Sequence, residues 1–368
     1  MPSLRCKLLC HSVSPHLQQL YTGFGLLAKR GVIELTQNIC NYGKRNAISL
    51  KNYRDWTHAH LRVELFDQNK KRIVAFFDNQ DGEEIEVHHL EECDIYFKRS
   101  YSSHYISKSH HNNKEKIYPL GLNYKVLPDT LSLYALQRSL LVSDPIVKMA
   151  RSSIESVDSK NLLMFHPRLC HLQSLPLPSL EPKVLFMVTA YNPDSCEVRN
   201  KEEKDERIHN NEFRAACIRA LRKELGQNFY GGFIHNKFTK ENYSDLLIDN
   251  AINSKKGNYL NLLRKYPICV ATTGLEGSIG WKFAEYVAFS KAIITEKLQY
   301  DVPGNLMKNV NYLEFSMPYE CVEKAMQLIN DPDLRKMMMI NNWDYYRHYV
   351  APDMMILNAL SIAMKNIR

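Results

Sequence analysis

The stretch at residues 271–296, ATTGLEGSIGWKFAEYVAFSKAIITE, decides the fold. It reads as the end of a strand, a Gly/Ser bend, an amphipathic helix, and a second strand at 291–295. Gly277, Ser278, Ile279 and Gly280 sit where the helix begins. A helix start offers unpaired backbone N–H groups and a partial positive charge, so it suits a diphosphate. Glu276 stands just before the bend, and Lys282 and Glu285 lie one turn apart on the helix. N–H groups for phosphates and carboxylates for hydroxyls together point to a sugar nucleotide.

Outward from this segment, the second half alternates strand and helix. Strands are expected at 184–189, 229–234 and 268–272, and helices at 207–225 and 243–254. Phe213, Ala216, Cys217, Ala220 and Leu221 supply an apolar stripe for the first of these helices. Such alternation predicts a parallel sheet whose ligands bind beyond the carboxyl ends of its strands. A Pro-rich run at 166–183 precedes it and reads as a linker. The first half is mixed. Strands are expected at 7–10, 32–36, 60–66, 72–77, 94–98 and 116–120, with a helix at 15–29 entered through Ser14 and Pro15. Residues 102–114 read as a polar loop. Two apolar stripes make the tail helical, with a break at Pro352.

The totals bound the function. The chain has 368 residues, enough for two domains, and no apolar run near the ~20 residues of a membrane span. Its 9 cysteines show no zinc-type spacing and read as reduced thiols, which places the protein in the cytoplasm. The net charge of +8 suits a phosphorylated ligand or peripheral contact with an anionic inner membrane face. No basic block interleaved with aromatics points to nucleic acid. Asp331–Pro332–Asp333 reads as a helix cap rather than a metal motif. His88–His89 and His110–His111 are adjacent pairs, not metal spacings.

A two-domain chain with a Pro-rich connection, a nucleotide-type second half and an interrupted terminal helix resembles the GT-B glycosyltransferases. Residues 275–295 are similar to the donor-site signature of the glycosyltransferase family 1 and family 4-like group. There an acid, a Gly-rich turn, a second acid on the helix and a small–Lys strand entry recur in order. Glu276 matches the first acid, Glu285 the second, and Ser290, Lys291, Ala292, Ile293 and Ile294 the strand entry. The interval between the acids is one residue longer than in the signature, and Ala292 stands where proline is common.

The resemblance implies an α/β fold of two Rossmann-like domains facing across a cleft. Residues 1–165 would bind the acceptor and 184–345 the nucleotide sugar, with 166–183 between them. Residues 346–368 would form a kinked helix packing back on the first domain. The implied activity is transfer of a sugar from a nucleotide sugar to a glycan or lipid-linked acceptor, with no metal and no cofactor. Basic residues clamp the diphosphate in such enzymes, and Arg207 and Arg214 are the candidates here. Asp78 and His11, each following a strand of the first half, are the candidate catalytic bases. Two alternatives stand beside this reading: a sugar-nucleotide epimerase of the same architecture, and a non-catalytic glycan-binding protein.

Overall fold

The computed structural model describes residues 4–10, 14–39, 59–129 and 167–365, which form two α/β units. His11 lies outside the described residues. The strands of the first unit are β1 (Leu4–Cys10), β2 (Ile33–Ile39), β3 (His60–Phe66), β4 (Arg72–Asp78), β5 (Ile95–Lys98) and β6 (Ile117–Pro119). Those of the second are β7 (Val184–Val188), β8 (Phe229–Phe233), β9 (Ile268–Ala271), β10 (Ala292–Glu296) and β11 (Tyr312–Phe315). The helices are α1 (Gln18–Lys29), α2 (Val87–Glu92), α3 (Ser103–Ser109), α4 (Lys201–Leu225) and α5 (Lys237–Asn242). They continue with α6 (Lys256–Lys265), α7 (Trp281–Ala288), α8 (Pro318–Asn330), α9 (Pro332–Tyr345) and α10 (Pro352–Lys365).

The first sheet has the order β2-β1-β3-β4-β5-β6. Its β3 runs antiparallel to both neighbours, while the other five strands are parallel to one another. The second sheet is wholly parallel, ordered β11-β10-β9-β7-β8. Renumbered from its own first strand, this is the doubly wound 2-1-3-4-5 order. The winding reverses between β7 and β9, and open α/β sheets bind ligands in the crevice at such a point.

Strands β7, β9 and most of β10 are apolar on both faces because helices cover both. On one side α4, α8 and α9 bury Ile218, Leu221, Ala325, Leu328 and Met338 against the sheet. On the other, α6 and α7 contribute Leu260, Leu263, Phe283 and Val287. In the first unit, α1 is entered as expected: Ser14 Oγ accepts from the His16 amide at 3.3 Å and Pro15 occupies the first turn. Its Leu20, Phe24 and Leu27 meet β1, β3 and β4, and α10 lies alongside, adding Met355, Ile356, Ala359, Leu360 and Ala363 to the same core. The two helices cross so closely at Gly23 that a Cβ there would stand 2.1 Å from the Pro352 carbonyl oxygen. No helix among the described residues is long and apolar enough to cross a membrane.

Four expectations are corrected. Residues 102–114 are not a loop: Ser102 Oγ accepts from the Tyr105 amide at 3.2 Å and starts α3, and a 3-10 turn follows at His111–Lys116. The helix expected at 243–254 is instead α5, capped by Asn236 and Thr239, followed by two short 3-10 turns. Helix α4 begins six residues before the expected start at 207, because Asn200 Oδ1 caps the Glu203 amide at 2.8 Å. The Pro-rich run is irregular but not a free tether. Leu172 is buried in the second unit's core, and Ser174 accepts from Ser290 Oγ at 2.6 Å.

Candidate functional site at the switch point of the second sheet

The crevice beyond β7 and β9 is framed by residues 189–200 and 272–280. Arg214, projecting from α4, spans it. Its Nη1 donates to the Thr189 carbonyl at 2.7 Å, its Nη2 to the Thr273 carbonyl at 2.7 Å, and its Nε to Thr272 Oγ1 at 3.0 Å. The guanidinium also lies over the Tyr191 ring, 4.6 Å from its centroid. It is 4% exposed. Arg207, one helical span earlier, donates to the Asn192 carbonyl at 3.0 Å and to Glu203 Oε1 at 2.8 Å. Asn211 between them both donates to and accepts from the Tyr191 backbone. Arg207 and Arg214, the expected phosphate clamps, thus hold backbone carbonyls of the crevice walls. Strand ends leave carbonyls without partners, and these two side chains satisfy them. This also explains why Arg207, Asn211 and Arg214 lie on the buried face of α4 rather than beside it.

The bend itself is built from two consecutive left-handed residues, Glu276 at φ 57° and Gly277 at φ 64°. Glycine suits the second, where a left-handed backbone carries no Cβ penalty. Left-handed backbone at a glutamate costs about 1–2 kcal/mol, and the surroundings offset it. Glu206 of α4 accepts the Glu276 amide at 2.7 Å, and the Gly277 amide faces the same carboxylate. Arg199 pairs with the Glu276 side chain, and Tyr300 Oη donates to its carbonyl at 2.5 Å. The Ser278 amide is used by the Leu275 carbonyl at 3.1 Å. The bend at Glu276 and Gly277, expected to cradle a diphosphate, thus holds a carboxylate of the protein itself. Burial pushes the Glu206 carboxyl up, against the two amides that favour its charge.

What remains for an anion is the start of α7. Gly280 is its N-cap and supplies no side-chain cap. A Cβ at Gly280 would touch little, with the Thr272 carbonyl oxygen at 3.8 Å. Ile279, just before, is held from the first unit: Arg99 Nη2 donates to its carbonyl at 2.9 Å. Glu285, 3% exposed, pairs with Lys256 of α6, and the buried Tyr259 hydroxyl lies beside its carboxylate. It does not pair with Lys282. That side chain is half-buried, and its Nζ, expected at a phosphate, donates to the Met187 carbonyl inside the sheet. Burial lowers the Lys282 pKa to about 7, opposed by nearby Glu285. The unfolded chain therefore binds more protons than the folded one above that value, and stability rises with pH through the window. Compared with Lys282→Met, the wild type should gain about 1–3 kcal/mol between pH ~7 and ~10. Urea unfolding of both proteins across that range measures it, and a pH-independent difference would contradict it.

Across the interface, the first unit contributes residues that the sequence did not single out. The His16 ring meets Trp281 edge-on, 4.8 Å between centroids, and its Nδ1 is buried without a partner. Burial and the nearby Arg99 lower its pKa to about 4, keeping the imidazole neutral. Lys125 lies over the other side of the contact, 4.2 Å from the Trp281 ring. Asp78, expected as a base, sits in a buried network. It is fully buried, and its carboxylate accepts from Tyr96 Oη at 2.6 Å, Lys98 Nζ at 2.9 Å and the Gln80 amide at 2.9 Å. Burial alone would raise its pKa, but Lys98, with His60 and Tyr96, holds it far below the usual carboxylate range. Arg99 is likewise committed, to Asp81 and Ile279. Lys256 and Glu206 sit 29 and 70 residues from the groups they meet, so only the fold brings them to the site. His16 had a local signal, standing one residue past the Ser14–Pro15 helix entry.

No protein-family model matches the chain, and no curated protein does. Three of the solved structures to which it is similar illustrate the range. One is a glycosyltransferase from Rickettsia africae, at 10% identity and a TM-score of 0.41 over 77% of this chain and 68% of that one. Another is the C-terminal domain of a glycosyl transferase group 1 family protein from Francisella tularensis, at 16% identity and a TM-score of 0.30 over 48% of this chain and 95% of that one. The third is a putative UDP-N-acetylglucosamine 2-epimerase from Listeria monocytogenes, at 13% identity and a TM-score of 0.36 over 75% of this chain and 60% of that one. At these identities the likeness is one of strand and helix arrangement alone.

Proposed function

We propose that the second unit binds a nucleotide sugar at the start of α7 and that the protein transfers the sugar to a glycan or lipid-linked acceptor held by the first unit. One observation carries this reading: a helix start without a side-chain cap at the switch point of a 2-1-3-4-5 sheet, with the buried Glu285 carboxylate one turn further on. The amides at the start of α7 would take a phosphate. Glu285 Oε2 would accept a hydroxyl of the nucleotide while Lys256 holds its other oxygen. Arg214, spent on carbonyls, would act through its charge at the crevice rather than by contact, and the leaving diphosphate would be neutralised by these dipoles and charges. The acceptor hydroxyl would attack the anomeric carbon as the nucleoside diphosphate departs. His16, neutral and beside Trp281, is the group on the first unit best placed to receive the hydroxyl proton.

Thermal unfolding against UDP, GDP, ADP, TDP and CMP tests the reading. A nucleotide at about 100 times its Kd should stabilise the protein by about 2.7 kcal/mol. Glu285→Ala should weaken that nucleotide by about 1–3 kcal/mol, the scale of losing a charged hydrogen-bond partner. Stabilisation by none of the five, or an unchanged affinity in the variant, overturns the site. Consumption of the cognate donor only when acceptor is present separates transfer from epimerisation.

A further inference from the structure

A second cluster lies on the first sheet, where β4 ends and α2 begins. His60 opens β3 opposite Asp78 and is 5% exposed. Its Nε2 is 3.4 Å from Asp78 Oδ1 and 2.6 Å from the Gln80 side-chain amide. Its Nδ1 is buried and makes no hydrogen bond. Leaving such an atom without a partner is costly, and native structures rarely do so without a reason. Helix α2 brings two more ligand-type groups to it. His89 is stacked on Phe76, 4.3 Å between centroids, with its ring 5.6 Å from that of His60. Glu86, the residue preceding α2, has Oε2 3.5 Å from His89 Nε2. One ligand atom from each of the three lies within 4.8 Å of the others.

Two imidazoles and a carboxylate are a donor set that Zn²⁺-class cations take, with water completing a tetrahedron. Ligands at about 2.0–2.1 Å from such an ion stand about 3.4 Å apart, so small rotamer changes close this trio around one. Metal-bound histidines characteristically hand their other nitrogen to a carboxylate, and Asp78 is already beside His60 Nε2.

We propose that His60, Glu86 and His89 form a binding site for a divalent cation of the Zn²⁺ class, with Asp78 orienting His60 from behind. The site is separate from the start of α7. It sits at the base of the 79–86 segment, whose Gly82 lies against Glu276: a Cβ there would be 2.5 Å from Glu276 Oε2. A bound cation would fasten the Glu86 end of that segment to the sheet, while its middle, at Gly82, meets the second unit.

The full chain, stripped with chelator and desalted, is titrated with Zn²⁺ by calorimetry and with Co²⁺ by visible absorption. The expected result is a single saturable site and a Co²⁺ spectrum with the intense bands of four-coordinate geometry. His89→Gln and Glu86→Gln, both on the half-buried rim, should each weaken binding at least about tenfold, whereas His111→Gln should leave it unchanged. Zn²⁺ should raise the melting temperature of the wild type more than that of either rim variant, which also reports that the variants are folded. Absence of saturable binding, or wild-type affinity in both rim variants, overturns the proposal and marks the cluster as a hydrogen-bonded polar network bridged by Gln80. Because no nucleotide is present, the outcome is independent of the donor site.

Discussion

Asp78→Asn should destabilise the protein by about 3–5 kcal/mol, the cost of removing one partner from a buried ion pair. The asparagine is nearly isosteric, so the loss reports charge rather than volume. Lys98, 1% exposed, would be left charged with no counter-ion, and Tyr96 would lose a charged acceptor. The pH dependence follows from the direction of the shift. Asp78 titrates lower in the folded protein than unfolded, so its contribution is complete above the unfolded pKa of about 4. It is lost as pH falls toward the folded value. Acid sensitivity below pH ~4 should therefore be smaller in the variant. Adding Lys98→Met should restore part of the lost stability, since an apolar pair can replace a buried ionic one. Urea unfolding at neutral pH decides the matter. A variant as stable as the wild type but devoid of turnover would return Asp78 to the role of base.

Arg214→Lys should cost about 2–4 kcal/mol, because hydrogen bonds from a charged donor contribute about 1.5–3 each and buried carbonyls would be left bare. The guanidinium fork reaches three acceptors on two strand ends while stacking on Tyr191. An ammonium is a point and cannot reproduce that geometry. The effect should be local: amide hydrogen exchange should accelerate around 189–191 and 272–274 before the rest of the sheet. Unchanged exchange there would mean that the ends of β7 and β9 are held by something other than this side chain. In the proposed function the same variant also weakens nucleotide binding, since the crevice walls part.

These two residues mark where the sequence could and could not be read. Apolar runs such as residues 184–188 and 268–271 have few ways to be satisfied except between helical layers, so the second sheet was legible almost to the residue. Strand β11 (Tyr312–Phe315) escaped because four residues carry too little periodicity. Helix α4 was found but rotated. Its hydrophobic stripe ignores Arg207, Asn211 and Arg214, which are buried because the strand ends need donors, a demand visible only once the strands are in place. The same holds for the bend at 276–278. Its glycine and its position before a helix were readable. That a carboxylate from α4 already fills its amides was not, because a Lys/Glu-rich run reads as a solvated face. Helix α6 and its Lys256 went unnoticed for the opposite reason: Gly257, Asn258 and Asn261 dilute any helical signal.

The position of α10 has a consequence for biosynthesis. Phe24 and Leu27 share one core with Met355, Ile356, Ala359, Leu360 and Ala363 of α10, so a nascent chain cannot complete the core of its first unit until these late residues have left the ribosome. The second unit, emerging meanwhile, can mature ahead of the first, reversing the usual order for domains made in succession. For that interval the early helix exposes sticky surface, the kind of segment that chaperones bind and that sets the yield of a protein in the cell.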